Sequence, residues 1–408
     1  MERPLLKAFA PSAPSRQYRI PEIDVLRGFA LFGVFLVNIF AFGGDASAWT
    51  STTDQLAWSI KHIFFESKFW GLFSLLFGIS CWLQWRGHAR FWVVVRRLLF
   101  LFMMGVLNAL FFEGDILMLY AQLGLVLLLV HRLPTQVLMA MALALFLVFP
   151  IAHGLNPDRG EPDYPDDPVE AAVWLEEDRE DGIYVADHLG EIVAWHAEAL
   201  PEVPWADYQW PDSGLVVLAM FLSGFVLARA GLLERCLENG RRSRQFAMWA
   251  WVIGLSLMGL ERWLSATFGY SVFGEAIDSF PVQLAGDVSF ALATLCLVFG
   301  WLVTVLLMAH RYVDVGVVKA VEAMGKMSLS MYLIQTVVIV VVFYGPGFGV
   351  AYALGPASLL VLAVVTYAVQ LVLARFWFQI FQVGPMEWLW RWASEGYRRP
   401  WRVRPQQG

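Results

Sequence analysis

The chain has 408 residues, 58% hydrophobic and 16% charged, with a mean hydropathy of +0.58. Soluble domains average about 45–50% apolar and about 25% charged residues, so the composition excludes an ordinary soluble domain. Its 31 Phe and 19 Trp exclude a disordered chain, and Cys81, Cys236 and Cys296 form an odd set with no CxxC metal spacing.

A spanning helix needs about 20 predominantly apolar residues. Runs that approach this length occupy 23–43, 64–83, 93–111, 116–130, 137–151, 214–233, 246–268, 288–308, 329–343 and 357–381. The fourth and fifth are short and are divided by His131, Arg132 and Pro134, which reads as two spans joined by a tight turn. The sequence therefore predicts an all-α integral membrane protein, a polytopic bundle of about ten transmembrane helices. Residues 1–22 form an N-terminal segment, 23–151 hold five helices, 152–213 an acidic connection, 214–381 five more helices, and 382–408 an interfacial tail. Ala46-Ser47-Ala48 resembles a leader cleavage site, but the preceding run is long and starts late with Asp24 and Arg27, as expected of an uncleaved first span.

Lys and Arg in short loops mark the cytoplasmic side. Arg86, Arg90, Arg96 and Arg97, then Arg132, Arg241, Arg242 and Arg244, Lys319 and Lys326, and Arg398 to Arg404 fall on one side of the alternation. Asp45, Asp54, Glu113, Asp115, Glu275 and Asp278 fall on the other, which predicts a multi-pass protein with cytoplasmic termini. Residues 152–213 carry 17 acids against Arg159 and Arg179, a net of −15 that leaves +9 for the rest of a −6 chain. Val169, Val173, Leu189, Ile192, Val193 and Trp195 are spaced to pack on the outer mouth of the bundle. Such acids are ordinarily solvated; the sharper reading is a vestibule that gathers cations.

Ionisable groups inside a membrane cost about 2.5–3.5 kcal/mol each on insertion scales, and they tend to be paired and functional. Asp24 and Arg27 stand three apart on one helix face, and Asn38, about three turns deeper and close to that face, extends them into a polar stripe. Lys61, His62, Glu66 and Lys68 open the second run, and the four-residue step from His62 to Glu66 suits an acid/base pair, although a single histidine at an interface is usually just solvated. Glu113 and Asp115 flank a glycine beside Asn108; Asp115 suits a helix cap, which leaves Glu113 without a structural role. Tyr332 and Gln335 share a stripe with Ser328 and Thr336. The chain contains no GxxxxGK[ST], GxGxxG after a strand, HExxH or GxSxG.

Asp24-Val25-Leu26-Arg27-Gly28, Lys68-Phe69, Gly114-Asp115-Ile116-Leu117, Gly325-Lys326-Met327 with Tyr332, and Gly384-Pro385 with Glu387-Trp388 occur in an order that resembles the YeiB family of bacterial inner-membrane proteins. That family's opening motif is in turn similar to membrane acyltransferases of the heparan glucosaminide acetyltransferase type, which use coenzyme A thioesters. The resemblance implies a cytoplasmic acyl-CoA donor near Asp24 and Arg27. The chain departs from the YeiB pattern at Asn108, where that pattern has histidine.

The expected function is acyl transfer within or across the membrane. Glu66, Glu113, Asp115 and Asn108 are the catalytic candidates, and Asp24, Arg27, Asn38, Lys68, Tyr332 and Gln335 the binding candidates. The expected partners are the lipid bilayer and a small-molecule or lipid substrate, with homo-oligomerisation left open and neither metal nor nucleic acid called for. The competing classes are a secondary transporter or lipid-handling permease, in which Asn38, Glu113, Asp115 and Gln335 line a polar path and the acidic segment gathers substrate, and a non-catalytic scaffold whose acidic segment binds a partner.

Overall fold

The computed structural model describes residues 20–43, 51–86, 91–155, 182–201, 214–269, 279–396 and 401, and these are helical apart from turns and short connections. Pro21 opens α1 (Pro21–Phe40), where a first-turn proline loses no hydrogen bond. Ser51 Oγ accepts from the Asp54 amide to start α2 (Thr52–Ile60). A π-helical turn, Lys61–Phe65, leads to α3 (Lys68–Arg86). Then come α4 (Phe91–Ala109), α5 (Leu117–Val130), α6 (Thr135–Leu155) and a short α7 (Leu189–Ala199). The second half comprises α8 (Gly214–Arg229), α9 (Leu232–Glu238), α10 (Gly240–Phe268), α11 (Phe280–Arg311), α12 (Gly316–Lys326), α13 (Ser328–Phe343), α14 (Pro356–Ile380) and α15 (Pro385–Glu395).

Every apolar run of the sequence falls on a helix, yet only part of the expected span count follows. Among the described residues, five helices are long and apolar enough to cross a membrane, or seven if the bent pairs α8–α9 (61°) and α12–α13 (87°) are each one span. The physical reasons are local. The 14 residues of α5 rise only about 21 Å against a hydrocarbon core of about 30 Å, and α10 carries Glu261 and Arg262 inside its apolar half. The second run was expected to begin at Phe64; the helix begins at Thr52 and breaks at Glu66–Ser67.

The most enclosed element is α1, which packs against α3, α11, α12, α13 and α14. Its approach to α12 is backbone on backbone: a Cβ at Gly325 would overlap the Asp24 carbonyl, and one at Gly28 the Val321 carbonyl. Small residues permit such crossings where apolar packing against lipid offers little net gain. Gly78 and Gly224 do the same between α3 and α8. Glu387, at the start of α15, accepts from the Leu329 and Ser330 amides at 2.7 and 3.2 Å and from Ser330 Oγ at 2.6 Å, capping α13 directly after its bend.

Of the acidic connection, residues 182–201 are described. Tyr184, Ile192 and His196 are buried, and Tyr184 and Ile192 join Phe35, Ile39 and Phe343 in one apolar cluster at the C-terminal end of α1. Val169 and Val173 lie outside the described residues.

Candidate functional site

The expected residues resolve into separate groups. At the N-terminal end of α1, Arg27 Nη1 donates to Asp24 Oδ1 at 3.1 Å, and Nη2 donates to Ser80 Oγ on α3. Asn38 lies 14 residues along the same helix, about 21 Å away by helical rise, and is half-buried. The stripe on α1 is thus two places rather than one.

At the other end of α3 a denser cluster forms. Chain geometry there is unusual, with a π-helical turn over Lys61–Phe65 and Ser67 in the left-handed region at φ +61°. Single π turns and strained non-glycine residues concentrate at functional positions. Together they gather the side chains of Lys61, His62, Glu66 and Lys68 within two turns of chain. Lys61 Nζ donates to Glu66 Oε1, and His62 Nδ1 lies 2.6 Å from Glu66 Oε2. Across the bundle, His62 Nε2 faces Glu261 Oε2 of α10 at 3.5 Å. Lys68 is fully buried; its ammonium donates to the His62 carbonyl at 3.0 Å and lies 4.7 Å from the centre of the Phe290 ring on α11. Trp58 stacks on the His62 ring, 5.2 Å between centres and 4° between planes. His62 is 5% exposed, so the solvated reading does not hold for it.

This arrangement has definite chemical capacity. A carboxylate on Nδ1 orients the imidazole, which leaves Nε2, facing Glu261, as the nitrogen that can exchange a proton. Two ammonium groups nearby favour developing negative charge.

Asn108, Asp115 and Tyr332 are also brought together, for a different purpose. Asp115 Oδ2 accepts from the Leu117 and Met118 amides at 3.0 and 3.1 Å, and Oδ1 accepts from Asn108 Nδ2 at 2.9 Å and from Tyr332 at 3.5 Å. In this turn burial pushes the Asp115 carboxyl up to about 7, against the opposing pull of Asn108 and the two amides. The carboxylate opens α5, as a cap does. Gln335 donates to Gln370 Oε1 at 3.1 Å and to the Leu31 carbonyl at 3.4 Å, tying α13 to α14 and α1.

Glu113 is exposed and joins none of these. Its Oε2 accepts from the Tyr184 hydroxyl at 3.1 Å, and that hydroxyl lies 3.4 Å from His196 Nε2. Burial raises the Tyr184 hydroxyl, with the Glu113 charge adding to the effect, and burial lowers the His196 imidazole.

Sequence reasoning missed Glu261, Trp58, Tyr184 and His196. Glu261 carried a legible signal, an acid inside an apolar run; the other three are ordinary in composition and gain meaning only from their neighbours. Among the described residues no three His, Cys, Asp or Glu side chains converge as a metal site.

Residues 227–397 match a family model described as a protein of unknown function (DUF418). Over 404 residues the chain is 27% identical to the uncharacterized protein YxaH of Bacillus subtilis (strain 168), covering 92% of this chain and 94% of that one. It is 26% identical over 393 residues to the uncharacterized protein YeiB of Escherichia coli (strain K12), covering 90% and 94%. An uncharacterized 39.9 kDa protein in the amylase 3' region of Bacillus acidopullulyticus is 34% identical over 124 residues, 29% of this chain and 36% of that one. No solved structure matches the chain.

Proposed function

The chain belongs to the YeiB (DUF418) family, and from that premise we propose that it is a multi-pass acyltransferase of the bacterial inner membrane. The single observation that carries this reading is the buried His62–Glu66 pair between Lys61 and Lys68. Ten crossings with cytoplasmic termini, the topology of the charge alternation, would put Arg27 and Ser80 at the cytoplasmic end and His62 in the outer half. Ser80 and Lys68 are 12 residues apart on α3, about 18 Å by helical rise. An extended phosphopantetheine arm is of similar length, so a donor with its phosphates at Arg27 would bring its thioester to His62.

In the proposed step, His62 Nε2 takes the proton from an acceptor hydroxyl as its oxygen forms a bond to the acyl carbon. The carbon–sulfur bond breaks, and the imidazolium returns the proton to the leaving thiolate. Glu66 orients the ring, and Lys61 and Lys68 stabilise the oxyanion. Leu72, Leu75 and Leu76, buried on α3 between the two ends, must part to admit the donor.

The test is titration of detergent-purified protein with acetyl-CoA and coenzyme A, combined with assay of thiol release. Binding lost in Arg27→Ala and release lost in His62→Gln support the reading. Absence of binding to the intact chain at millimolar acetyl-CoA overturns it. The contact from His62 to Glu261 favours a second reading, proton-coupled transport along a Glu66–His62–Glu261 relay. Substrate flux driven by a proton gradient and lost in Glu261→Gln would distinguish it.

A further inference from the structure

The proposed transfer needs an acceptor, and the surroundings of Trp58 point to its class. α2 packs along α14, and α10 packs along α11. Side-chain contacts join α2 and the π turn to α10: the Arg262 guanidinium is 5.2 Å from the centre of the Trp58 ring, and His62 faces Glu261. Leu56 on α2 and Trp263, next to Arg262 on α10, are 60% and 56% exposed, so each element presents a large apolar side chain outward. Arg262 is exposed and forms no ion pair among the described residues. It stands six residues before the end of α10, about 9 Å of helical rise.

An unpaired guanidinium at that depth is costly unless its side chain reaches the phosphate level. Around His62, three cationic side chains, Lys61, Lys68 and Arg262, stand against two acids, Glu66 and Glu261, a surplus that suits an anionic phosphodiester.

Building on the acyl-transfer reading, we propose that the acceptor is an outer-leaflet phosphodiester lipid with a free hydroxyl in its head, entering sideways between α2 and α10. Its phosphate rests on Arg262, and its acyl chains stay in the bilayer against Leu56 and Trp263. The head hydroxyl reaches His62 Nε2 once Trp58 swings aside. Trp58, stacked on the imidazole, is accordingly a positioning residue.

The test is native mass spectrometry of the full chain in mild detergent with added phosphatidylglycerol or phosphatidylcholine. Phosphatidylglycerol should be retained in preference. Arg262→Gln should lower its retention about fivefold, the weight of one arginine at an anionic lipid. Arg262→Lys should restore most of it, and Arg241→Gln at the far end of α10 should leave it unchanged. Equal retention of the two lipids, or equal retention by Arg262→Gln and the unaltered chain, overturns the proposal. Displacement of the lipid by soluble glycerophosphoglycerol at similar concentration also overturns it, because the head alone would then be recognised from water. The readout is binding without donor, so an inactive thioester assay with intact lipid retention counts against the transfer reading alone.

Discussion

Asp115 and Glu66 are carboxylates in one bundle, and what surrounds them differs in kind. Asp115 is held by the Leu117 and Met118 amides and by the neutral side chains of Asn108 and Tyr332, in a relaxed helix start. Glu66 is held by an ammonium and an imidazole, beside a π turn and a left-handed Ser67. A carboxylate bound by backbone amides completes a helix, and its loss is felt by the fold. One bound by titratable side chains in strained chain does nothing for the helix ladder, and its loss is felt by whatever those side chains do.

The sharpest way to break this contrast is to remove both groups in turn. Asp115→Ala leaves two helix-start amides and the Asn108 amide unpaired, at about 3 kcal/mol of destabilisation. A drop in detergent melting midpoint should report it, while Glu66→Gln should melt near the parent chain. If Glu66→Gln unfolds the chain as severely, the distinction is wrong. Next in size, Glu66→Gln should slow thiol release from acetyl-CoA about 100-fold, with acetyl-CoA binding retained. A full-rate enzyme would remove Glu66 from the proposed chemistry.

The pH dependence sharpens the structural half. Burial raises the folded-state Asp115 carboxyl from 3.8 to about 7, so the fold favours its neutral form. Its contribution to stability is present below about pH 4 and is lost as pH rises through about 7. The melting midpoint of the parent chain should fall over that window relative to Asp115→Asn, whose profile should be flatter. The smallest effect belongs to Ser67. A glycine there relieves left-handed strain, and Ser67→Gly should stabilise by about 1 kcal/mol. Unchanged or lower stability would mean the Ser67 backbone carries no such cost.

How much of this was legible follows the range of each interaction. The apolar runs and the capping role of Asp115 depend on residues a few positions apart, and both were readable. The four-residue step from His62 to Glu66 was visible too, although a π turn rather than a plain α-helix presents the pair. Glu261 lies 199 residues from His62, so nothing local could join them. Likewise Tyr184 finds Glu113 across 71 residues, and the 87° bend between α12 and α13 follows from a glycine crossing and a cap by Glu387, neither of which is a local signal. Of the ten expected crossings, five to seven follow by length and composition among the described residues, because those measures judge each helix alone and α5 is short while α10 carries Glu261 and Arg262.

The backbone contact of Asp24 and Gly28 with Gly325 also has a bearing on biosynthesis. α1 leaves the ribosome first, while its tightest partner follows about 300 residues later. At about 5–20 residues per second, that is a delay of roughly 15–60 s. During this interval Glu22, Asp24 and Arg27, which the finished bundle largely encloses, face lipid or the insertion machinery. Nascent chains halted before Gly325 should therefore be held by that machinery or degraded, and assembly should close from the C-terminal half back onto the first helix.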